Sequence, residues 1–165
     1  MDKEIIADAL KALGWTEKNG RLHISDKTGT HISVSFRKNK VLAELDGPDV
    51  PRIESEIEGP APDVFLELAE MWRLFGSPSR RRGIVVYLIG QGWNLSYHPE
   101  HGFLVSNDTG KLHTMIAFDA DEHIVSAAFL GRKRVRAYHE DIFGQGNDEP
   151  SRLDAMHAAA AARLA

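Results

Sequence analysis

The segment His31-Ile32-Ser33-Val34-Ser35-Phe36 returns in the second half of the chain as His113-Thr114-Met115-Ile116-Ala117-Phe118. Upstream of each copy stands a Gly-Trp pair, Gly14-Trp15 in the first half and Gly92-Trp93 in the second. Similarity that extends over so many residues is typical of a supersecondary unit that occurs twice. The pattern therefore predicts an internal duplication.

Further matches lie on both sides of these segments. Ser25-Asp26-Lys27-Thr28-Gly29 corresponds to Ser106-Asn107-Asp108-Thr109-Gly110, and Ile57-Glu58-Gly59 to Ile142-Phe143-Gly144. We expect one copy in residues 1–78 and a second in residues 79–165, packed about a pseudo-twofold axis. Because a module of about 80 residues buries only about 60% of its unfolded surface, we expect the two copies to form one cooperative unit.

The apolar pattern predicts the order α-β-β-β-α in each copy. Helical spacing follows Asp2, and a second helix begins at Pro60. Three strand-like runs lie between them, Arg21–Ser25, Thr30–Arg37 and Lys40–Asp46. Alternation of Ile32, Val34 and Phe36 with serines predicts one buried sheet face, with the helices packed on it.

In the second copy the apolar run Ile84 to Ile89 is compatible with a strand or a helix. Because the corresponding segment of the first copy is predicted to be a helix, we expect a helix here too. The expected strands are Asn94–Val105, broken near Pro99, then Lys111–Asp119 and Glu122–Leu130, and a last helix begins at Ser151. The predicted fold class is α+β, with antiparallel sheets.

Composition excludes several classes of protein. The chain has 165 residues, no cysteine and a formal net charge of −4, with Lys and Arg balanced by Asp and Glu in residues 79–165. Disulfides and Cys-ligated metals are therefore excluded, and bulk charge does not favour a polyanion. Met1-Asp2-Lys3-Glu4 lacks the apolar region of a signal peptide, and the longest apolar run is too short to span a bilayer. We expect a cytoplasmic location without membrane contact.

Catalytic signatures are weak. Asp108-Thr109-Gly110 is the tripeptide of aspartic proteases, but Lys27 stands at the position that corresponds to Asp108, so a dyad from both copies is impossible. A hairpin turn is the favoured interpretation of this segment. Neither a nucleophile elbow nor a glycine-rich phosphate loop occurs in the sequence. These patterns do not favour an enzyme, and no cofactor is predicted.

Histidines offer a further alternative. His31 and His113 occupy corresponding positions and suit a metal site or a pH-sensitive contact, although a retained polar residue at a strand start explains them as well. The clusters His98-Pro99-Glu100-His101 and Asp119-Ala120-Asp121-Glu122-His123 lack a spaced ligand pattern and fall at expected turns. No metal site is therefore predicted. Trp15 and Trp93 are expected to seal helix against sheet.

Basic clusters supply the candidate binding residues. They are Arg80, Arg81 and Arg82 at the start of the second copy, and Arg132, Lys133, Arg134 and Arg136 after its last expected strand. Arginines next to an aromatic residue can contact phosphates and stack on bases. The alternative is that they are solvated charges. If the two clusters form one patch, the chain is a nucleic-acid-associated protein.

The order α-β-β-β-α resembles a double-stranded-RNA-binding domain, here in tandem. That family carries a lysine-rich motif at the start of its last helix, where this chain has Pro62-Asp63-Val64-Phe65-Leu66 and Pro150-Ser151-Arg152-Leu153-Asp154. The cations of the motif are absent, so the resemblance extends to topology only. The helix followed by antiparallel strands also resembles secretion-chaperone-type folds, which implies binding of protein segments.

The leading prediction is a non-enzymatic module that binds a protein partner through a sheet face, a strand edge or a groove between the copies. The alternative is a nucleic-acid-associated protein that uses the arginine clusters. A binder of a small molecule or metal in the cleft between the copies is the third possibility.

Overall fold

The computed structural model describes residues 2–100, 102–109, 112–118, 124–131 and 134–137, together with residues 151, 153–155, 157, 158 and 162. The chain divides into two compact units, Met1–Pro78 and Ser79–Ala165. Each unit contains an antiparallel sheet with helical residues, so the fold class is α+β, as predicted.

In the first unit, a helix precedes a five-stranded meander and a second helix follows it. The elements are α1 (Lys3–Ala12), β1 (Thr16–Lys18), β2 (Arg21–Ser25), β3 (His31–Arg37), β4 (Lys40–Gly47), β5 (Val50–Ile57) and α2 (Ala61–Phe75). The strand order is β1-β2-β3-β4-β5, and every neighbouring pair is antiparallel. Two edges therefore bound the sheet, the three-residue β1 and the eight-residue β5.

Helix α1 begins and ends as its sequence predicts. The carboxylate of Asp2 caps it by accepting from the amides of Glu4 and Ile5, which have no partner inside the first turn. Ile6 and Leu10 lie on its buried face. The helix ends before Gly14, whose φ of 95° lies in the region that favours glycine.

Side chains on the sheet of this unit alternate between a buried and a more exposed face. The register places Leu22 of β2 opposite Val34, which in turn lies opposite Ala43 of β4. Ile32 similarly lies opposite Leu45. All five are buried, and burying apolar surface at roughly 25 cal/mol per Å² is the main stabilising contribution of such a face.

Helix α2 contributes the other large buried residues of the unit. Its N-terminus lies in the segment Pro60-Ala61-Pro62, where the fixed φ of proline suits a first turn and its missing amide leaves no donor unsatisfied. Its buried residues are Val64, Leu68, Met71, Leu74 and Phe75. Gly76 follows the helix and donates its amide to the carbonyl of Trp72 at 2.7 Å.

The second unit has the same order of helix and strands. Its elements are α3 (Arg80–Gly90), β6 (Asn94–His98), β7 (Gly102–Thr109), β8 (Leu112–Phe118), β9 (Ile124–Gly131) and β10 (Arg134–Ala137). The strand order is β10-β9-β8-β7-β6. Residues 151, 153–155, 157, 158 and 162 are helical, and we call them the C-terminal helical residues. The prediction that Ile84 to Ile89 is helical is confirmed.

The strand number differs from the sequence prediction. Three strands were expected in each copy, whereas each sheet has five. The additional strands in the first unit are β1 and β5. In the second unit β6 and β7 stand where the single strand Asn94–Val105 was expected, and β10 is additional. Strand β1 is fully exposed, and β5 alternates charged and apolar residues, so neither shows a continuous apolar run. The likeness to a three-stranded double-stranded-RNA-binding domain therefore does not extend to the whole sheet.

Of the predicted hairpin turn Asp108-Thr109-Gly110, Asp108 and Thr109 belong to β7 and lie opposite His113 and Leu112, and Gly110 falls outside the described residues. Their counterparts in the first unit, Lys27 and Thr28, lie in a loop. The carboxylate of Asp26 accepts from the amides of Thr28 at 2.8 Å and Thr30 at 3.1 Å, which closes the connection between β2 and β3. Asx turns of this kind replace main-chain pairing with a side-chain acceptor.

Candidate functional site

The exposed side of the first sheet is a polar surface, which we call the open face. Its side chains come from the strand positions that alternate with the core residues. They are Arg21 and His23 of β2, Ser33 and Ser35 of β3, Leu42 and Glu44 of β4, and Glu54 and Glu56 of β5. Most are exposed or half-buried, so this face is accessible to a partner.

An ion pair crosses the centre of the open face. Arg21 on β2 donates from Nη2 to Oε2 of Glu44 on β4 at 3.3 Å, across the intervening β3. Small residues on β3 make room for this diagonal contact, and Ser33 beneath it is only 7% exposed. Within the part of the chain that the structure describes, Ser33 Oγ and Arg21 Nε are buried without a hydrogen-bond partner. Burial of polar atoms without a hydrogen-bond partner is costly.

A second set of ion pairs joins β4 to β5. Lys40 Nζ lies 3.0 Å from Oε2 of Glu56 and 3.3 Å from Oε1 of Glu58, and Arg52 Nη2 lies 3.2 Å from Oε1 of Glu54. The hydrogen bond to Lys40 lowers the pKa of Glu56, while Glu56 and Glu58 together raise the pKa of Lys40. These pairs are exposed, so each contributes little to stability and exchanges readily with other partners.

Charge on this part of the sheet is strongly negative. Residues 40–58 contain six acids, Glu44, Asp46, Asp49, Glu54, Glu56 and Glu58, against two cations, Lys40 and Arg52. The excess is concentrated on β4, β5 and the hairpin between them. The electrostatic potential there favours a cationic partner over an anionic one.

The first predicted arginine cluster lies in the first turn of α3. Arg80 is exposed. Arg81 packs into its own unit: Nη2 donates to the carbonyl oxygen of Phe103 at 3.4 Å, and the guanidinium lies 5.5 Å from the centre of the Phe118 ring. Arg82 is half-buried, and its amide donates to Oγ of the capping Ser79 at 3.0 Å. Arg81 therefore binds the sheet through its guanidinium.

The second cluster lies elsewhere on the same sheet. Arg134 and Arg136 are on β10, and Arg132 and Lys133 fall outside the described residues. Arg136 lies opposite Phe129, which lies opposite Thr114, four residues before Phe118. With about 3.3 Å per residue and about 4.8 Å between strands, the Cα atoms of Phe118 and Arg136 are roughly 16 Å apart. The single arginine patch stays a prediction, because Arg132 and Lys133 fall outside the described residues.

A buried polar cluster in the second unit has no counterpart in the sequence prediction. Trp93 Nε1 donates to Oδ1 of Asp154 at 2.8 Å, and Thr114 Oγ1 lies 2.6 Å from Nδ1 of His157. The rings of Trp93 and His157 are 5.4 Å apart between centroids. Asp154 and His157 are three residues apart among the C-terminal helical residues, a spacing that places both on one helix face. The cluster attaches these residues to β8 and to Trp93.

Thr114 and His157 do not form an accessible nucleophile and base. Thr114 is 1% exposed and His157 is 3% exposed, so a substrate cannot reach either side chain in this state. Buried and hydrogen-bonded polar side chains of this kind specify packing. We therefore assign the cluster a structural role. Sequence periodicity could not find it because its members are distant along the chain.

The histidines that the sequence singles out have different surroundings. His31 is exposed, and its Nδ1 lies 3.0 Å from the carbonyl oxygen of Gly29 in the preceding loop. His113 lies in β8, with its backbone opposite Asp108. Nδ1 of His98 accepts from the amide of Glu100 at 3.2 Å in the turn after β6. Among the described residues, no three His, Asp or Glu side chains converge on a possible metal position, and residues 119–123 fall outside them.

Comparisons with protein-family models, with curated proteins and with solved structures find no significant match to this chain. The fold and the open face thus define the protein as an α+β chain with two antiparallel sheets and an acidic strand edge. No helix in the described residues is both long enough and apolar enough to cross a membrane.

Proposed function

We propose that this chain is a non-enzymatic protein-binding module and that the open face of the first unit is its binding surface. One observation carries the proposal: a polar sheet face with an acidic excess ends in an eight-residue edge strand, and both stay accessible in the chain. Side chains and main-chain groups on such a surface suit recognition of another polypeptide.

The burial pattern supports binding over catalysis. On the open face, Leu42 is half-buried, while Arg52, Glu54 and Glu56 of β5 are exposed. A partner that covers this face would bury more of the leucine side chain, which favours association.

The proposal includes an internal duplication, which corresponding main-chain contacts support. Trp15 donates its amide to the carbonyl of Leu10 at 3.1 Å, and Trp93 donates to Leu88 at 3.0 Å. Each contact lies at the end of the first helix of its unit. The last hairpins also correspond, since Gly47 lies opposite Val50 and Gly131 opposite Arg134. A duplicated scaffold can present two similar surfaces, of which only the first is strongly acidic.

The alternative of nucleic-acid binding receives less support. It requires the two arginine clusters to act as one patch, whereas the guanidinium of Arg81 already contacts the carbonyl oxygen of Phe103 and the ring of Phe118. An acidic first unit also repels phosphates. Binding of a small molecule or a metal has no specific observation in its favour.

Affinity capture with matched variants tests the proposed function. The full chain, Leu42→Arg and Leu66→Arg are immobilised and exposed to nuclease-treated lysate of the source organism. Leu66 is an exposed residue of α2, so its replacement adds the same charge away from the open face. We expect a discrete protein that the unaltered chain and Leu66→Arg retain and Leu42→Arg loses. Equal retention of that protein by all three chains contradicts the proposal. Recovery of nucleic acid, and of no protein, from a parallel lysate without nuclease also contradicts it.

A further inference from the structure

We propose that the outer edge of β5 binds an extended, basic segment of a partner protein as an additional strand. This inference rests on the proposed function and specifies the partner of the same surface. Strand addition needs an edge whose outward amides and carbonyls meet no other strand. In the described residues, β5 is the last strand of its sheet and pairs only with β4.

Length distinguishes β5 from the other edges. It has eight residues, whereas β1 has three, β6 has five and β10 has four. Short edge strands are a common protection against unwanted pairing because they offer few main-chain groups. β5 lacks this protection. Pro51 withholds a donor near its start, while the part from Arg52 to Ile57 contains no further proline.

Side chains along β5 determine which segment fits. Arg52, Glu54 and Glu56 occupy alternate positions and are exposed, whereas Ile57 is buried. Side chains at alternate positions lie on the same face of a strand, so the added strand would meet Glu54 and Glu56 side by side. Lysine or arginine at alternate positions of that strand forms cross-strand pairs with both. The charge excess on β4 and β5 acts in the same direction.

The same charges disfavour a second copy of this chain as occupant. An antiparallel pair of two β5 strands centred on Ser55 places Glu54 of one copy opposite Glu56 of the other. Like charges directly opposite each other destabilise a strand pair. Registers centred on Ile53 or Glu54 place Arg52 of one copy opposite Glu54 or Glu56 of the other, so a second copy is disfavoured only by the register centred on Ser55 and by the like net charge of the two edges. A basic strand meets opposite charges at both glutamates.

Three fluorescent eight-residue peptides test this inference against the full-length chain by anisotropy titration. The first alternates Lys and Thr, and the second alternates Glu and Thr. The third alternates Lys with α-aminoisobutyric acid, whose two Cα methyl groups confine the backbone to helical angles. We expect the Lys-Thr peptide to bind at least about tenfold more tightly than either of the others, because it alone combines positive charge with an extended backbone.

Two double variants locate the interaction. E54K/E56K reverses the charge on β5, and D8K/E100K makes the same change in net charge at exposed residues outside this strand. We expect E54K/E56K to weaken binding of the Lys-Thr peptide by about tenfold or more, and D8K/E100K by less than about threefold. Circular dichroism and thermal melts establish that both variants are folded.

The outcomes separate this inference from the proposed function. Equal binding of the two lysine peptides shows attraction by charge alone and overturns strand addition. Equal effects of the two double variants overturn the assignment to β5. In either case a protein partner that is lost with Leu42→Arg leaves the proposed function standing. Absence of both peptide binding and a captured partner overturns both.

Discussion

Trp15 and Trp93 occupy the same position relative to their helices: each donates its amide to the carbonyl five residues earlier, at 3.1 Å for Trp15 to Leu10 and 3.0 Å for Trp93 to Leu88. Gly14 and Gly92, the residues before them, have φ angles of 95° and 93°. Both indoles are 3% exposed. The same chain reversal thus brings a buried tryptophan from a helix to a sheet in each unit.

Gly14→Ala and Gly92→Ala are expected to destabilise the protein by about 1–2 kcal/mol each, because an L-residue is strained at positive φ. No atom lies within 4 Å of the added Cβ at either position, so the cost is conformational. Gly83→Ala is the control. Gly83 lies inside α3 with equally free space, and alanine there should stabilise by about 0.5–1 kcal/mol. Urea unfolding of the three variants gives the comparison, and equal effects would contradict this account of the reversal.

Gly47→Ala is expected to destabilise through a clash. A Cβ at Gly47 would lie 2.9 Å from both Cα and Oγ1 of Thr30 and 3.0 Å from Cγ2 of Val50. Thr30 is fully buried, so it cannot move away easily, and overpacking of this kind costs about 1–3 kcal/mol. Thermal and urea unfolding measure the loss. A change within about 0.5 kcal/mol of the unaltered chain would show that the hairpin between β4 and β5 adapts.

The hydrogen bond between Trp93 and Asp154 predicts a difference between the two tryptophans. Trp15→Ala and Trp93→Ala should each cost about 3–5 kcal/mol as large core truncations. The milder Trp93→Phe removes the Nε1 donor, and its effect should couple to Asp154→Ala by about 1–2 kcal/mol in a double-mutant cycle. Trp15→Phe with Asp154→Ala is the control cycle. If the effects of Trp93→Phe and Asp154→Ala on stability are additive, this hydrogen bond does not help to attach the C-terminal helical residues.

Two glutamates predict opposite dependences of stability on pH. Burial raises the pKa of Glu67 above its ordinary value of 4.5, so the folded state binds the proton more tightly and stability falls as pH rises through the folded pKa. Glu67→Gln should therefore stabilise at pH 7 by less than about 1 kcal/mol, since much of the group meets solvent, and the gain should vanish near pH 3.

Glu56→Gln is the matched comparison. Its hydrogen bond with Lys40 lowers the pKa of Glu56, so this carboxylate contributes stability that is present above the unfolded pKa and is lost as pH falls through the folded one. The variant should be slightly less stable than the unaltered chain at pH 7 and equal to it at low pH. Urea unfolding at several pH values checks both signs. The same sign for the two variants would contradict the assigned causes.

Sequence patterns predicted the elements with clear apolar signals and missed those without them. The three expected strands of the first unit match β2, β3 and β4 to within about one residue, because core residues such as Ile32 and Val34 alternate with polar ones. Strand β5 is not among the expected strands, although Arg52, Glu54 and Glu56 alternate with apolar or small residues in the same period. Because β5 is rich in acidic residues, it lacks the clear apolar pattern by which strands are predicted.

The candidate site was the least predictable part. Consecutive arginines are visible in a sequence, whereas the ion pair of Arg21 with Glu44 depends on strand register. The contact of Thr114 with His157 joins residues 43 positions apart and depends on tertiary packing. Periodicity reports which face of an element is buried, but it does not report which distant element covers that face.

Hydrogen exchange at the amides of β5, with and without saturating Lys-Thr peptide, tests the central claim most directly. An added strand pairs with outward amides, so we predict slower exchange within residues 50–57 and no change in β6, an edge strand of the second unit that serves as the internal control. Unchanged exchange throughout β5 in the saturated complex, or protection of β6 instead, would contradict strand addition at this edge.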